Sequence, residues 1–325
     1  MKQYKYAIVS GSFNPFHIVH KELIHSAFEL AEKVIICIED HKIAASPSSP
    51  FSTEERIKMI SSAFSKDILI DIKFIPLINH PYSDHKFMNQ VTELLAQYNN
   101  NYTCLLGHKS SAAKYLRVLH QINLIEYKSS DSVSSNKIKE LYFTYDKYNR
   151  YLDERTFIYM EEFKHSSKFK WLKDSWDEVR SHYEAWRGAP SNPVFMVANA
   201  VVVDERNCIL LTKRQSKYGK GLYTLPGGYV NGGEKSFDVV NRSVRNLTGI
   251  SFIEQDISTE KTFDDPKRSL KGRVFAHTFC IKDGFTGKTT ELSNNAFWMP
   301  LNELTKQRDQ FFEDNFEIID SMISF

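Results

Sequence analysis

The sequence predicts an α/β domain on a doubly wound parallel sheet, followed by a strand-rich α+β domain. Three observations carry this. Up to about residue 140, short apolar runs alternate with helix-period segments, the pattern of βαβ units around a parallel sheet. A helical stretch rich in Lys and Trp then runs into "GAPSNP" at 188–193, which has the chemistry of a linker. Beyond it the apolar runs lengthen into β-rich segments with one clear helical pattern. The expected organisation is 1–187, with its helical part from about 145, a linker at 188–193, and 194–325. A chain of 325 residues is long enough for two sizeable cores.

The elements follow in order. "YAIVS" reads as a buried strand, then a helix over about 18–32, then the strand "KVIICIE". Ser52 and Glu55 in "SPFSTEERIKMI" (49–60) form a capping box, so a helix starts at about 53, with Ile57 and Ile60 on its buried face. Arg56 in that stretch is expected to serve structure. "ILIDIKFIPL" reads as a strand, 87–97 as a helix and "TCLLGH" as a further strand. In the second part, "VFMVANAVVVD", "CILLTKR" and "VFAHTFCI" are strands, and a helix spans about 235–247.

Bulk composition narrows the class. With 42% hydrophobic and 25% charged residues the chain is that of a globular protein. A net charge of +2 is too even to imply a nucleic-acid or membrane partner. Cys37, Cys104, Cys208 and Cys280 sit in or beside apolar runs without metal-ligand spacing, as buried thiols in a reducing compartment do. No run approaches the roughly 20 apolar residues of a membrane span, and the cytoplasm is the expected location.

The chemistry concentrates in "SGSFNPFHIVH" (10–20). Gly11 permits a tight turn at the strand's carboxyl end, and Pro15 precedes a helix start at little cost. His17 and His20 then lie one turn apart on one face. The first-turn amides there carry the positive end of the helix dipole, which suits a phosphate. On spacing alone the two histidines are equally well read as helix caps. At 133–139, "VSSNKIK" offers Ser134 and Ser135 at a second helix start, with Lys139 a turn further on as a cation for phosphate.

Together these stretches resemble the "GxFxPxHxxH" and "ISSTxIR" signatures of the nucleotidyltransferases that transfer a nucleoside monophosphate from a nucleoside triphosphate. Gly11, Phe13, Pro15, His17 and His20 match the first, and Ser134, Ser135 and Lys139 the second, with Lys where Arg is usual. The resemblance implies a Rossmann-like fold, catalytic roles for His17, His20 and Lys139, and an ATP site formed by Ser10, Gly11, Ser12, Phe13, Gly107, Ser134 and Ser135. "LLGHKSSAAKYL" (105–116) resembles a loop of the NMN adenylyltransferases fused to a Nudix domain, with Ser110 in place of an acidic residue. "HPYSDHKFMNQV" (80–91) is similar to their nicotinamide-pocket segment. On that likeness Phe87, His108 and Lys109 are expected at the NMN site. Phe87 reads equally as a core residue of a helix.

"LPGGYVNGGEKSFDVVNRSVRNLTGI" (225–250) resembles the Nudix box G-x5-E-x7-R-E-U-x-E-E-x-G-U, with Gly228, Glu234, Arg242, Val244, Gly249 and Ile250 in register. Its three later glutamate positions are Ser243, Asn246 and Leu247, and Asn231 stands where a loop carboxylate is common. Neutral side chains there cannot collect divalent cations, so efficient hydrolysis is expected to be lost. Glu234 and Arg242 remain as a pair bracing loop to helix. "DDPKRSLKGRVFAHTF" (264–279) is similar to a ligand-binding segment of the fused enzymes. Arg268 and Arg273 are therefore expected to engage a diphosphate, Arg273 the better placed of the two.

The order of the two motif sets resembles the bacterial bifunctional NMN adenylyltransferase/Nudix hydrolases over nearly the whole chain. The likeness implies ATP + NMN → NAD⁺ + pyrophosphate, with Mg²⁺ accompanying ATP, and ADP-ribose or NAD at the second domain. Ser12 stands where the NMN-type enzymes commonly carry Arg, and Asn14 where they carry Gln. Nicotinate mononucleotide, phosphopantetheine and cytidylyl transfer therefore stay open. So do a second domain acting as a nucleotide sensor, and hydrolysis through displaced carboxylates such as Asp238, Asp264, Asp265 or Glu291.

Overall fold

The computed structural model describes residues 2–129, 133–282, 292–293 and 295–323. Glu291 lies outside the described residues. The chain forms two compact units, Met1–Lys173 and Asp174–Phe325.

In the first unit, β1 (Tyr4–Gly11), β2 (Ala31–Ile38), β3 (Ile72–Pro76), β4 (Thr103–Gly107) and β5 (Asn123–Glu126) make one sheet in the order β3-β2-β1-β4-β5. Every pairing is parallel. The order reverses between β1 and β4, the doubly wound arrangement expected. Helices α1 (Ile18–Leu30), α2 (Thr53–Ser62), α3 (Lys66–Leu69), α4 (Asp84–Leu95) and α5 (Lys109–Leu116) connect the strands, and α6 (Ser135–Phe143) and α7 (Glu154–Phe163) follow. Ile8, Ile35, Cys37 and Leu105 of the sheet pack against Phe87, Val91 and Leu95 of α4 and Tyr115 of α5. These strands are buried on both faces, which is why they read as continuous apolar runs.

Two local readings change. The run at 68–77 is divided: Ile68 and Leu69 belong to α3, which starts after Ser65, and the strand begins only at Ile72. Ile70 is exposed, so its apolar character has no core to serve. Strand β5 is four residues, "NLIE", too short for its periodicity to register.

Helix α8 (Ser167–Ala185) contains the division between the units, ahead of the break at 188–193. Its second half belongs to the second unit: Glu178 accepts hydrogen bonds from Ser216 Oγ, the Tyr218 amide and Lys271 Nζ. Those ion-pair and amide contacts attach the helix where composition alone places a helical appendage of the first domain.

The second unit holds β6 (Val194–Val203), β7 (Cys208–Lys213), β8 (Tyr223–Thr224), β9 (Gly227–Tyr229), β10 (Ile257–Phe263), β11 (Arg273–Lys282) and β12 (Ala296–Pro300). Its sheet runs β10-β11-β6-β7-β12, with β8 on β7 and β9 on β6. Only β6–β11 is parallel, so the sheet is mixed. Helix α9 (Ser236–Thr248) lays Val239, Val240 and Val244 on Ala198, Ala200, Val202 and Phe279, and α10 (Asn315–Met322) closes the chain. Gly227 has φ 159°, and a Cβ there would lie 2.1 Å from the Ala198 carbonyl oxygen. Only glycine lets β9 approach β6 so closely. The four cysteines are free, three of them buried.

Candidate functional site

In the first unit the candidate residues gather at the carboxyl ends of the central strands. Ser10 and Gly11 end β1 beside Cys37 and Ile38 of β2. Ser12 and Phe13 turn the chain, Phe13 with a φ of 50°. His17 is the N-cap of α1 by backbone position, but its side chain makes no capping bond. Instead its ring stacks on that of His20 with centroids 3.6 Å apart, and Phe13 meets His20 edge-on at 4.8 Å. The Nδ1 atoms of both histidines are buried with no hydrogen-bond partner among the described residues. A buried polar atom left open in this way is costly unless something binds there. Of the two readings, side-chain capping by His17 is the one this geometry lacks.

Burial sets the charge of this pair. Desolvation lowers His17 to about 4, and desolvation together with the neighbouring His17 holds His20 well below the ordinary histidine value. Both rings are neutral at pH 7 and offer N–H donors rather than cations.

A segment between β2 and α2 ties this pair to the second motif. Asn14 Nδ2 donates to Ser49 Oγ (2.8 Å) and to the Phe51 carbonyl (2.9 Å), while the Phe51 amide donates back to Asn14 Oδ1. Lys139, buried on α6, donates to the Ser48 carbonyl. Burial lowers the Lys139 ammonium to about 8 against the opposing pull of Asp40. Ser134 caps α6 by accepting from the Lys137 amide (3.3 Å), as the motif requires, and Ser135 opens the helix.

Arg56 is the hub of this region. It is 1% exposed, the Ser52–Glu55 capping box starts its helix, and its guanidinium donates to five oxygens. Nη1 reaches the carbonyls of Ser12 and Glu39, both at 2.6 Å. Nη2 reaches the Asp40 carbonyl and Thr53 Oγ1, both at 3.0 Å, and Nε the Ser52 carbonyl at 3.2 Å. The structural role expected of it holds, and its targets are the chain at the ends of β1 and β2.

At β4, Gly107 ends the strand, His108 caps α5 by accepting from the Ser110 amide, and Lys109 is exposed. Phe87 takes the core position of its two readings: it is buried, edge-on to Tyr115 at 5.7 Å. Its ring is held by α4 packing on the sheet, so it is no open stacking platform. Glu39, Asp40 and Lys114 were not singled out from sequence, whereas Tyr115 belongs to the stretch at 105–116 that resembles the fused enzymes' loop. Tyr115 Oη donates to Glu39 Oε1 and Lys114 Nζ pairs with Glu39 Oε2, each at 2.8 Å. The available signal was the acidic pair directly after "VIICI", at a strand's carboxyl end.

The second unit contains a cavity of about 310 Å³. Gly228, Ser243, Leu247 and Arg268 line it, with Arg214, Lys271, Tyr229 and Glu313. Arg268 is buried and bidentate to Asp314, both bonds 2.9 Å. Arg273 lies outside the lining; its guanidinium bonds to Asp264 and covers Phe275. Of the two arginines expected at a diphosphate, Arg268 lines this cavity and Arg273 does not, its guanidinium being taken by Asp264 between β10 and β11. Glu234 and Arg242 form the expected brace, Arg242 Nη2 to Glu234 Oε1 at 2.8 Å, with Asn231 donating to Glu234 Oε2.

Sequence reasoning missed Arg214 and Glu313. Arg214 stacks on Phe312 with its guanidinium carbon 3.6 Å from the ring centroid, and its Nε donates to the Tyr218 carbonyl. Burial pushes the Glu313 carboxyl up to about 7, and Tyr218 Oη donates to it at 3.0 Å. Asp238 is used at the start of α9, Asp264 by Arg273 and Asp265 by the Lys267 amide; none of the three lines the cavity. Among the described residues no group of three or more His, Cys, Asp or Glu is placed to hold a metal ion. Among them, too, no helix is long and apolar enough to cross a membrane.

Comparison with known proteins finds a family match in each half of the chain. Residues 8–141 match the Cytidylyltransferase-like family and residues 194–322 the NUDIX domain. A nicotinamide/nicotinic acid mononucleotide adenylyltransferase of Acinetobacter baylyi is 28% identical over 180 residues, 54% of this chain and 95% of that one. An ADP-ribose pyrophosphatase of Methanocaldococcus jannaschii is 33% identical over 107 residues, 32% of this chain and 62% of that protein. A bifunctional NMN adenylyltransferase/ADP-ribose pyrophosphatase of Francisella tularensis, solved with AMP and a manganese ion, superimposes with a TM-score of 0.87. It covers 98% of both chains at 23% identity, a likeness of fold.

Proposed function

We propose that this chain, which joins a cytidylyltransferase-like domain to a NUDIX domain, is a nicotinamide-nucleotide adenylyltransferase: ATP + NMN → NAD⁺ + pyrophosphate. The observation that carries the reading is the stacked His17–His20 pair, with both Nδ1 atoms buried and unpartnered among the described residues, at the start of α1 just after β1. An oxygen of the acceptor's 5′-phosphate attacks the α-phosphorus of ATP in line. The new P–O bond forms as the bond to the β-phosphate bridging oxygen breaks, and pyrophosphate leaves with that electron pair. No residue need become covalent; the site positions the phosphates and stabilises their charge.

The neutral imidazoles of His17 and His20 donate to triphosphate oxygens, alongside the free amides of the α1 start. Lys139 and the Ser134–Ser135 turn hold the β/γ end. Reaching it requires Lys139 to exchange the Ser48 carbonyl for phosphate. The phosphates gripped by Lys139 and the Ser134–Ser135 turn would be those of an ATP–Mg²⁺ complex, in which the metal would supply charge neutralisation. His108 and Lys109, after the end of β4, stand on the acceptor side. Purified protein incubated with ATP, Mg²⁺ and NMN is expected to yield NAD⁺ by product chromatography. Absence of NAD⁺ refutes the reading, and nicotinate mononucleotide in the same assay tests the acceptor.

For the second unit the reading is a nucleotide-binding NUDIX domain without efficient hydrolysis. Ser243 and Leu247 face the cavity where the box calls for glutamates, and the donors on its wall do not fit a bound divalent cation. Arg214 and Lys271 give the cavity its affinity for a diphosphate such as that of ADP-ribose or NAD, with Arg268 held in its wall by Asp314. Intact ADP-ribose after incubation with Mg²⁺ supports this; released AMP overturns it.

A further inference from the structure

We propose that Glu313 is a proton-coupled contact of the second unit's cavity: its carboxyl engages a diphosphate only when protonated, donating to a phosphate oxygen, so ligand and proton are taken up together. This rests on the nucleotide-binding reading of that unit and deepens it. Glu313 lines the cavity of about 310 Å³ together with Arg214 and Lys271. It precedes Asp314, the N-cap of α10, and its φ of 48° lies in the left-handed region. A long side chain is held there at a cost, and such strain is kept where the side chain it places is used.

This carboxyl stands among cations that are committed elsewhere. Arg268 is bidentate to Asp314, and Lys271 Nζ pairs with Glu178 Oε1 of α8 at 2.6 Å. Arg214 lies along the Phe312 ring, and of its guanidinium nitrogens only Nε meets a protein acceptor among the described residues, the Tyr218 carbonyl. Glu313 itself has no ion pair among the described residues; Tyr218 Oη donates to its Oε1 at 3.0 Å, and the Ser269 hydroxyl donates to it as well. Desolvation and the neighbouring Asp314 oppose its ionisation, which Arg268 only partly offsets, and the carboxyl rests at about 7. Tyr218 and Tyr229, the other titratable groups on this wall, are pushed up and stay neutral. A diphosphate held by Arg214 and Lys271 brings further negative charge against this group. Ionised, Glu313 repels it; neutral, it offers an O–H donor to an anionic oxygen, which is a strong hydrogen bond. Binding therefore favours the protonated form and draws the proton from solvent.

The test titrates ADP-ribose, whose diphosphate keeps its charge across this range, into the full chain without Mg²⁺ by calorimetry. For a carboxyl at about 7, the wild-type Kd is expected to rise by about tenfold from about pH 6 to about pH 8. At the higher pH, buffers of different ionisation enthalpy should report an uptake approaching one proton per ligand. Glu313→Gln keeps an N–H donor and cannot ionise, so it is expected to bind equally at both pH values without proton uptake. A wild-type affinity independent of pH with no proton taken up overturns the proposal. The same pH slope in Glu313→Gln also overturns it, because the proton would belong to another group. Proton uptake is read on the wild type alone, whatever the fold of the variant. If ADP-ribose fails to bind the wild type at either pH, the nucleotide-binding reading falls and this proposal with it; binding without proton linkage brings down the proposal alone.

Discussion

Replacing Arg56 with Met removes the hub that joins Ser12 to the end of β2 while keeping much of its buried volume. Five oxygens lose a donor, all beside a side chain only 1% exposed. If water re-enters to satisfy three of them, the two left open cost about 1–3 kcal/mol each, so roughly 2–6 kcal/mol in all. For a unit of this size each kcal/mol lowers Tm by about 2–4 °C. A fall of roughly 10 °C in the first unit's transition is therefore expected in scanning calorimetry. The loosened Ser12 and Asp40 carbonyls move the histidine turn and the segment that holds Lys139, so KM for ATP is expected to rise together with the loss of stability. Arg56→Lys, a cation with one donor group, should fall between the two. A Tm within about 2 °C of wild type with unchanged KM would refute the reasoning, because it would mean the five bonds carry no net energy.

Other outcomes follow from the same geometry. His20→Ala is expected to lower turnover by roughly 10²–10³-fold with an unchanged circular dichroism spectrum; near-full activity would remove the histidines from the mechanism. Because Lys139 is lowered to about 8 and must be charged to hold phosphate, kcat/KM for ATP should decline as pH rises through 8. Lys139→Arg should abolish that decline, whereas no loss is expected near pH 6.5, since His17 at about 4 is already neutral there. In the second unit the Glu313 carboxyl is raised to about 7, so the native state holds a proton that the unfolded chain releases between the ordinary carboxylate value and pH 7. Its stability should accordingly fall as pH rises across that window, and Glu313→Gln should lessen the slope in urea titrations at several pH values, leaving the part owed to Glu317, which burial also raises to about 7.

How far the sequence could be read follows from the physics of each residue. Strands β1, β2 and β4 were legible because burial on both faces leaves unbroken apolar runs, and α2 because Ser52 and Glu55 sit at capping-box spacing. The histidine pair was legible as a place but not as a chemical state, since its neutrality comes from tertiary burial. Arg268 and Arg273 look alike in sequence, yet distant partners separate them: Asp314 holds Arg268 in the cavity wall and Asp264 holds Arg273 outside it. Arg214 and Glu313 escaped notice because their neighbours, Phe312 and Tyr218, come from distant segments. Phe87 reads equally from sequence as a ring at the ligand and as a helix core residue, and the structure buries it in the core.

The brace between Glu234 and Arg242 has a consequence for protein engineering. It keeps the loop and α9 in position although the catalytic positions beyond it are neutral. Ser243, Asn246 and Leu247 all lie off the buried face formed by Val239, Val240 and Val244, so none of them is committed to the core. Writing glutamate at these three positions would alter one helical surface without asking the sheet to move. The helix thus offers a surface on which metal-binding carboxylates can be written and their effect on ADP-ribose hydrolysis measured against the parent chain.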